Sequence, residues 1–139
     1  MNMRALAKAL GTPHWLDHLL LRWMQIGIII IGCAFWIEAR MKSEAFSKEI
    51  YGAFAVQFPA ELWAGATVTG SLIIWIGLLD PMKRWIVAVG AAIQTVQYMG
   101  LGYSAVMTGG ELVIGVHCTV LFAPIFAAIF WRAVYDANP

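Results

Sequence analysis

Four long apolar stretches divide the chain, at residues 19–37, 62–79, 85–107 and 112–131. Each holds roughly 18–23 residues, enough at about 1.5 Å per residue to carry a helix across about 30 Å of hydrocarbon. The polar faces that a water-soluble helix needs are almost missing from them. The pattern therefore predicts an all-α integral membrane protein. Four transmembrane helices form an antiparallel bundle, and residues 1–139 make one membrane domain. Arg22 falls near the start of the first stretch, where its side chain can snorkel to the interface.

The connections are mostly short. "DPMKR" at 80–84 reads as a tight turn, with Asp80 able to accept backbone N–H groups and Pro81 suited to a first helical position. "TGGE" at 108–111 is a second turn, so the last two spans form a close hairpin. The first connection is longer. Phe46, Ile50 and Phe54 recur there at helical spacing, among Lys42, Glu44, Lys48 and Glu49, which predicts a short interfacial helix or an extension of the first span. Pro59 is expected to open the second span, with Glu61 in its first turn. At the N-terminus, Met3, Leu6 and Leu10 oppose Arg4 and Lys8. Residues 1–11 thus read as an amphipathic helix on the inner leaflet, with Gly11 ending it and Thr12–Pro13 starting the next. No small-x-small site follows the first apolar run, which speaks against a cleaved signal peptide.

Composition agrees: 61% of residues are hydrophobic and 12% charged, against about half and a quarter in a soluble domain. The formal net charge of +1 gives no bulk attraction to nucleic acid. Charge position says more than charge total. Arg4, Lys8, Arg22, Lys83, Arg84 and Arg132 share one side of the four-span topology. Arg40, Lys42 and Lys48 share the other, diluted by Glu38, Glu44, Glu49 and Glu61. The excess predicts cytoplasmic termini. Trp23, Trp75, Trp85 and Trp131 fall near the inner boundary, and Trp36 and Trp63 near the outer one, as interfacial aromatic belts do.

Small residues at four-residue spacing predict close helix contacts: Gly65 with Thr69, Ala66 with Gly70, Ala88 with Ala92, Gly100 with Ser104, and Ala123 with Ala127. Pro124 should kink or loosen the last helix. Cys33 and Cys118 lie inside spans and read as free buried thiols.

Candidate chemistry is sparse. His14 and His18 share a helix face, but two imidazoles do not complete a metal site. His117 is the only histidine inside a span and could ligate a haem iron, though no second histidine sits at matching depth. "AAIQTVQYMG" at 91–100 places Gln94, Gln97 and Tyr98 on neighbouring positions of the third span. Lipid cannot satisfy an amide, so Gln94, Gln97, Tyr98 and His117 are expected to face protein. Gln97 or Tyr98 should contact His117 or its neighbours. The group serves either as interhelical glue or as the lining of a water path.

No carboxylate is predicted near a span midplane, which argues against a proton-coupled antiporter. No P-loop, GxSxG or potassium-filter sequence appears, and the loops are too small for an aqueous catalytic domain. Enzymatic activity is not expected, and no cofactor is called for.

The segment "YGAFAVQFPAELWAG" at 51–65 resembles stretches of small, uncharacterised multi-span membrane proteins of tailed phages. The resemblance implies a bacterial inner-membrane location and phage-linked roles such as a holin-like pore. Three roles follow from the whole reading. The first is a non-enzymatic scaffold or accessory subunit, partnered by the lipid bilayer and by other membrane subunits or copies of itself. The second is an oligomeric pore. The third is a haem-binding, cytochrome-like subunit using His117.

Overall fold

The structure is a computed structural model of the chain and describes residues 14–41, 48–79 and 84–136. The expected N-terminal amphipathic helix at 1–11, its Gly11–Pro13 junction, the loop positions Lys42, Glu44 and Phe46, and the turn residues Asp80–Lys83 lie outside the described residues. So do the side chains of His14 and His18.

All regular structure among the described residues is helical. Helix α1 runs His14–Met41. Two short turns follow, α2 at Lys48–Tyr51 and α3 at Ala53–Val56. Helix α4 spans Ala60–Gly77 and α5 spans Arg84–Met107. The last long helix comprises α6 at Leu112–Val116, a π-helical turn at His117–Phe122 and α7 at Ala123–Asp136. Four helices are long and apolar enough to cross a membrane: Leu20–Glu38, Ala60–Gly77, Arg84–Met107 and Leu112–Tyr135.

Helix α1 outruns the apolar stretch at both ends. Glu38, Ala39, Arg40 and Met41 are good helix formers, so the helix continues after the hydrophobic run stops. Pro59 sits one position earlier than expected, at the N-cap of α4 with φ −57° and ψ 137°, and Glu61 lies in the first turn.

The helices pack in a chain of neighbours: α1 on α4, α4 on α5, and α5 on the last helix. Along α4 and α5 the contacts run in opposite order. Gly77 meets Val87, Gly70 meets Gly90, Thr67 meets Gln94, and Trp63 meets Gln97. The approach is closest at Gly90, where an added Cβ would lie 2.7 Å from the Gly70 carbonyl oxygen and 2.9 Å from the Ile74 nitrogen. All four long helices contribute to one core, with Ile28 from α1, Ile74 from α4 and Leu78 at its C-cap, Val87, Ala88 and Ala91 from α5, and Phe126 and Ala133 from α7.

Of the two forms expected for the first connection, an extension of the first span is seen as far as Met41, and from Lys48 the described residues form two short helices. Gly52 separates these two, adopting φ 86°. An alanine there would collide with the Ser104 carbonyl oxygen, so only glycine lets this backbone lie against α5. The connection is thereby tied into the fold. The backbone N–H of Ala55 donates to Ser104 Oγ at 2.8 Å, and the N–H of Glu111 donates to the Ile50 carbonyl at 2.9 Å.

The last helix is loosened as Pro124 predicts, but just before the proline. Pro124 has no N–H for the Val120 carbonyl and its ring crowds that oxygen, and the wide turn at His117–Phe122 relieves this. The wide turn adds one residue to the spacing of the inward face. Buried positions follow the order Gly115, Cys118, Ala123 and Phe126.

Candidate functional site

Gln94 and Gln97 are three apart on α5 and share a face. That face meets α4, not the last helix. The Gln94 side-chain nitrogen donates to the Thr67 carbonyl at 2.7 Å and to Ser71 Oγ at 2.8 Å. The Gln97 nitrogen donates to the Trp63 carbonyl at 2.9 Å and also to Thr67 Oγ1. Thr67 Oγ1 in turn donates to the Trp63 carbonyl at 2.9 Å. Gln94 and Ser71 are fully buried, and Gln97 is 4% exposed. Two side-chain amides thus bind main-chain carbonyls of the neighbouring helix across one interface.

Tyr98 turns the other way. Its ring stacks on Phe122 at 5.0 Å and on Phe126 at 5.6 Å. Gln94, Gln97 and Tyr98 therefore divide between two neighbours.

His117 departs from the expected cluster. It is exposed, and its Nδ1 lies 2.7 Å from the Val113 carbonyl one turn earlier. A carbonyl only accepts, so Nδ1 is the donor in this contact. Two physical reasons explain the departure. The helix's own backbone satisfies one ring nitrogen, and the small residues Gly115 and Cys118 take the inward face. An added Cβ at Gly102 of α5 would lie 3.1 Å from the Gly115 carbonyl, so the backbones are too close for an imidazole between them.

A second polar centre lies where α5 ends. Ser104 is fully buried and accepts from Ala55, and Thr108 Oγ1 donates to the Ser104 carbonyl at 2.6 Å while accepting from the N–H of Phe54 at 3.3 Å. Trp63 is only 8% exposed, and its indole N–H donates to the Ala55 carbonyl at 3.0 Å. It is an internal strut, not the interfacial anchor its position suggested. Tyr51 packs beside Trp63 and Cys118. Burial pushes its hydroxyl up to about 12, with the Cys118 thiol, Glu38 and Tyr98 adding to the effect.

The small residues divide as well. Gly70 packs under Gln94, Ala88 and Ala123 are buried, and Gly100 lies beside the Trp63 ring. Ala66 and Ala92 line a shallow apolar groove of about 450 Å³ with Trp63 and Val96. Gly65 faces open space, and Thr69 and Ala127 are exposed, so these three make no close helix contact. Their four-residue spacing is met equally by a lipid-facing stripe. The closest approaches instead use Gly32, Gly77, Gly90, Gly102 and Gly115. Both cysteines are free. Cys118 is buried as expected, whereas Cys33 is exposed on the outer face of α1.

Sequence reasoning missed Gln25 and the depth of Arg22. Gln25 is fully buried on α1, and Arg22 donates from Nη2 to the Leu78 carbonyl at 2.7 Å. A lone glutamine between "LLLRWM" and "IGIIII" was the available signal. Among the described residues, no three His, Cys, Asp or Glu side chains come together as a metal group. No protein-family model, curated protein or solved structure matches this chain.

Proposed function

We propose that this chain is a non-enzymatic integral membrane protein acting as a helix-packing scaffold or accessory subunit of a membrane complex. Its four spans form an antiparallel bundle with both termini cytoplasmic, in a bacterial inner membrane. One observation carries the reading. The amide nitrogens of Gln94 and Gln97 are bound to carbonyls of α4 within the same chain, while the outward surface is rich in large apolar side chains such as Trp23, Ile30, Val96 and Val120. Internal polarity holds the helices together, and the outside is left for lipid and for other membrane helices. Purification in mild detergent tests this. A monomer recovered in stoichiometric complex with another membrane protein is the expected result. A defined homo-oligomer that conducts ions after reconstitution would replace this reading with a pore.

A second reading has its own observation. The Nδ1–H of the exposed His117 is anchored on the Val113 carbonyl, and this is a common arrangement for a histidine that ligates a metal through Nε2. A haem held between His117 and a partner is therefore the alternative. A Soret band that disappears in His117→Leu would establish it.

A further inference from the structure

We infer that the interior binds ordered water at four buried side chains, Arg22, Gln25, Gln94 and Gln97. This goes beyond the accessory role and does not depend on it.

The orientation of the two α5 amides is fixed by their partners. Main-chain carbonyls of Thr67 and Trp63 accept only, so the atoms facing them are the NH2 groups. The oxygen ends are consequently aimed elsewhere. Gln94 Oε1 and Gln97 Oε1 are buried and meet no donor among the described residues. Flipping either amide would leave its NH2 group unmet instead and set its oxygen against a carbonyl oxygen. Gln25 is in a stronger position still. It is fully buried, and among the described residues neither its Oε1 nor its Nε2 meets a hydrogen-bond partner. Arg22 Nε is likewise buried without a partner among the described residues, although Nη2 holds the Leu78 carbonyl.

These groups lie at successive levels along the second span. Arg22 is level with Leu78 of α4, and Gly32 is level with Thr67 and Val68, so Gln25 falls between those levels. Gln94 is level with Ser71 and Thr67, and Gln97 with Thr67 and Trp63. From Leu78 to Trp63 these levels span about 22 Å at about 1.5 Å per residue. Gln25 lies one turn before Ile28, and Gln94 one turn after Ala91, both members of the core shared by all four long helices.

The chemistry of the unmet atoms selects the ligand. Three are amide oxygens that accept, and the others are N–H groups of Gln25 and Arg22 that donate. An anion would suit the donors and be repelled by the oxygens, and a cation the reverse. Water donates and accepts, and it is small enough for a packed interior, where it commonly bridges otherwise unmet polar groups.

The chain contains its own references for a test. Of its four glutamines, Gln57 is exposed, and the buried Trp63 indole N–H is bound to Ala55. Water-edited solid-state NMR on the full chain in lipid vesicles measures magnetisation passing from water to each side-chain nitrogen. Pairwise labelling of Met24 and Gln25 assigns the Gln25 signal without a variant. The Gln25 amide should build up at a rate close to that of Gln57 and several-fold faster than Trp63 Nε1. The Gln94 and Gln97 amides should also exceed Trp63. A Gln25 signal no faster than that of Trp63 would overturn the proposal.

Discussion

Gln94 Nε2 and Ser71 Oγ lie 2.8 Å apart, both fully buried, on helices whose backbones nearly touch at Gly70 and Gly90. The amide reaches Ser71 only because no side chain stands between the helices. An added Cβ at Gly70 would sit 3.0 Å from the Gln94 side chain itself. Close backbone approach and polar bonding are therefore one feature of the α4–α5 interface.

Removing the amide should weaken that interface without preventing insertion. Gln94→Leu breaks two hydrogen bonds and is expected to cost about 1–2 kcal/mol, and Gln97→Leu about 0.5–1.5 kcal/mol. Thermal or denaturant unfolding in detergent measures both. A change in conductance with stability intact would instead identify these amides as a pore lining.

The glycines should separate sharply by position. Gly90→Ala drives a methyl group into the Gly70 carbonyl and should destabilise by about 1–3 kcal/mol, as overpacking does. Gly65→Ala projects into open space and should be neutral or stabilising by up to about 1 kcal/mol, since alanine is the better helix former. Equal effects at the two sites would refute the assigned interface.

Gly52 tests the tucked first connection. Its φ of 86° and its contact with the Ser104 carbonyl make Gly52→Ala costly by about 1–3 kcal/mol or more. The loss should appear as faster backbone amide exchange at Ala55 and Glu111, whose N–H groups bridge the connection to the α5 hairpin.

Alkaline stability should depend on Tyr51. Burial raises its hydroxyl from 10.0 to about 12, so the folded state holds the phenolic proton more tightly than the unfolded chain does. The resulting stabilisation is complete below pH 10 and is lost as pH rises towards 12. Thermal melts across that window should show a decline that is shallower in Tyr51→Phe. An unchanged slope would place Tyr51 outside the core.

Much of the helix layout was legible because it depends on local composition. Runs of apolar residues too long for a soluble helix locate the four candidate spans, and Pro59 marks the start of α4 within one position. These are properties of a segment and its solvent, and no neighbouring helix is needed to read them. Pro124 also announced a disturbed last helix, because a missing N–H disturbs any helix.

Which way each helix turns was decided only by tertiary contact. His117 looked inward by polarity, yet the Val113 carbonyl satisfies its ring locally while Gly115 and Cys118 take the packed face. Gly65 and Gly70 carry the same residue type, but only Gly70 meets a neighbour. Gln25 was one polar letter in an apolar run, and its complete burial depends on the meeting of helices far apart in sequence. In a membrane span nearly every face is apolar, so polarity cannot tell lipid from protein. Helix rotation is fixed instead by where small residues let two backbones approach, and that is a property of pairs of helices, absent from either sequence segment alone.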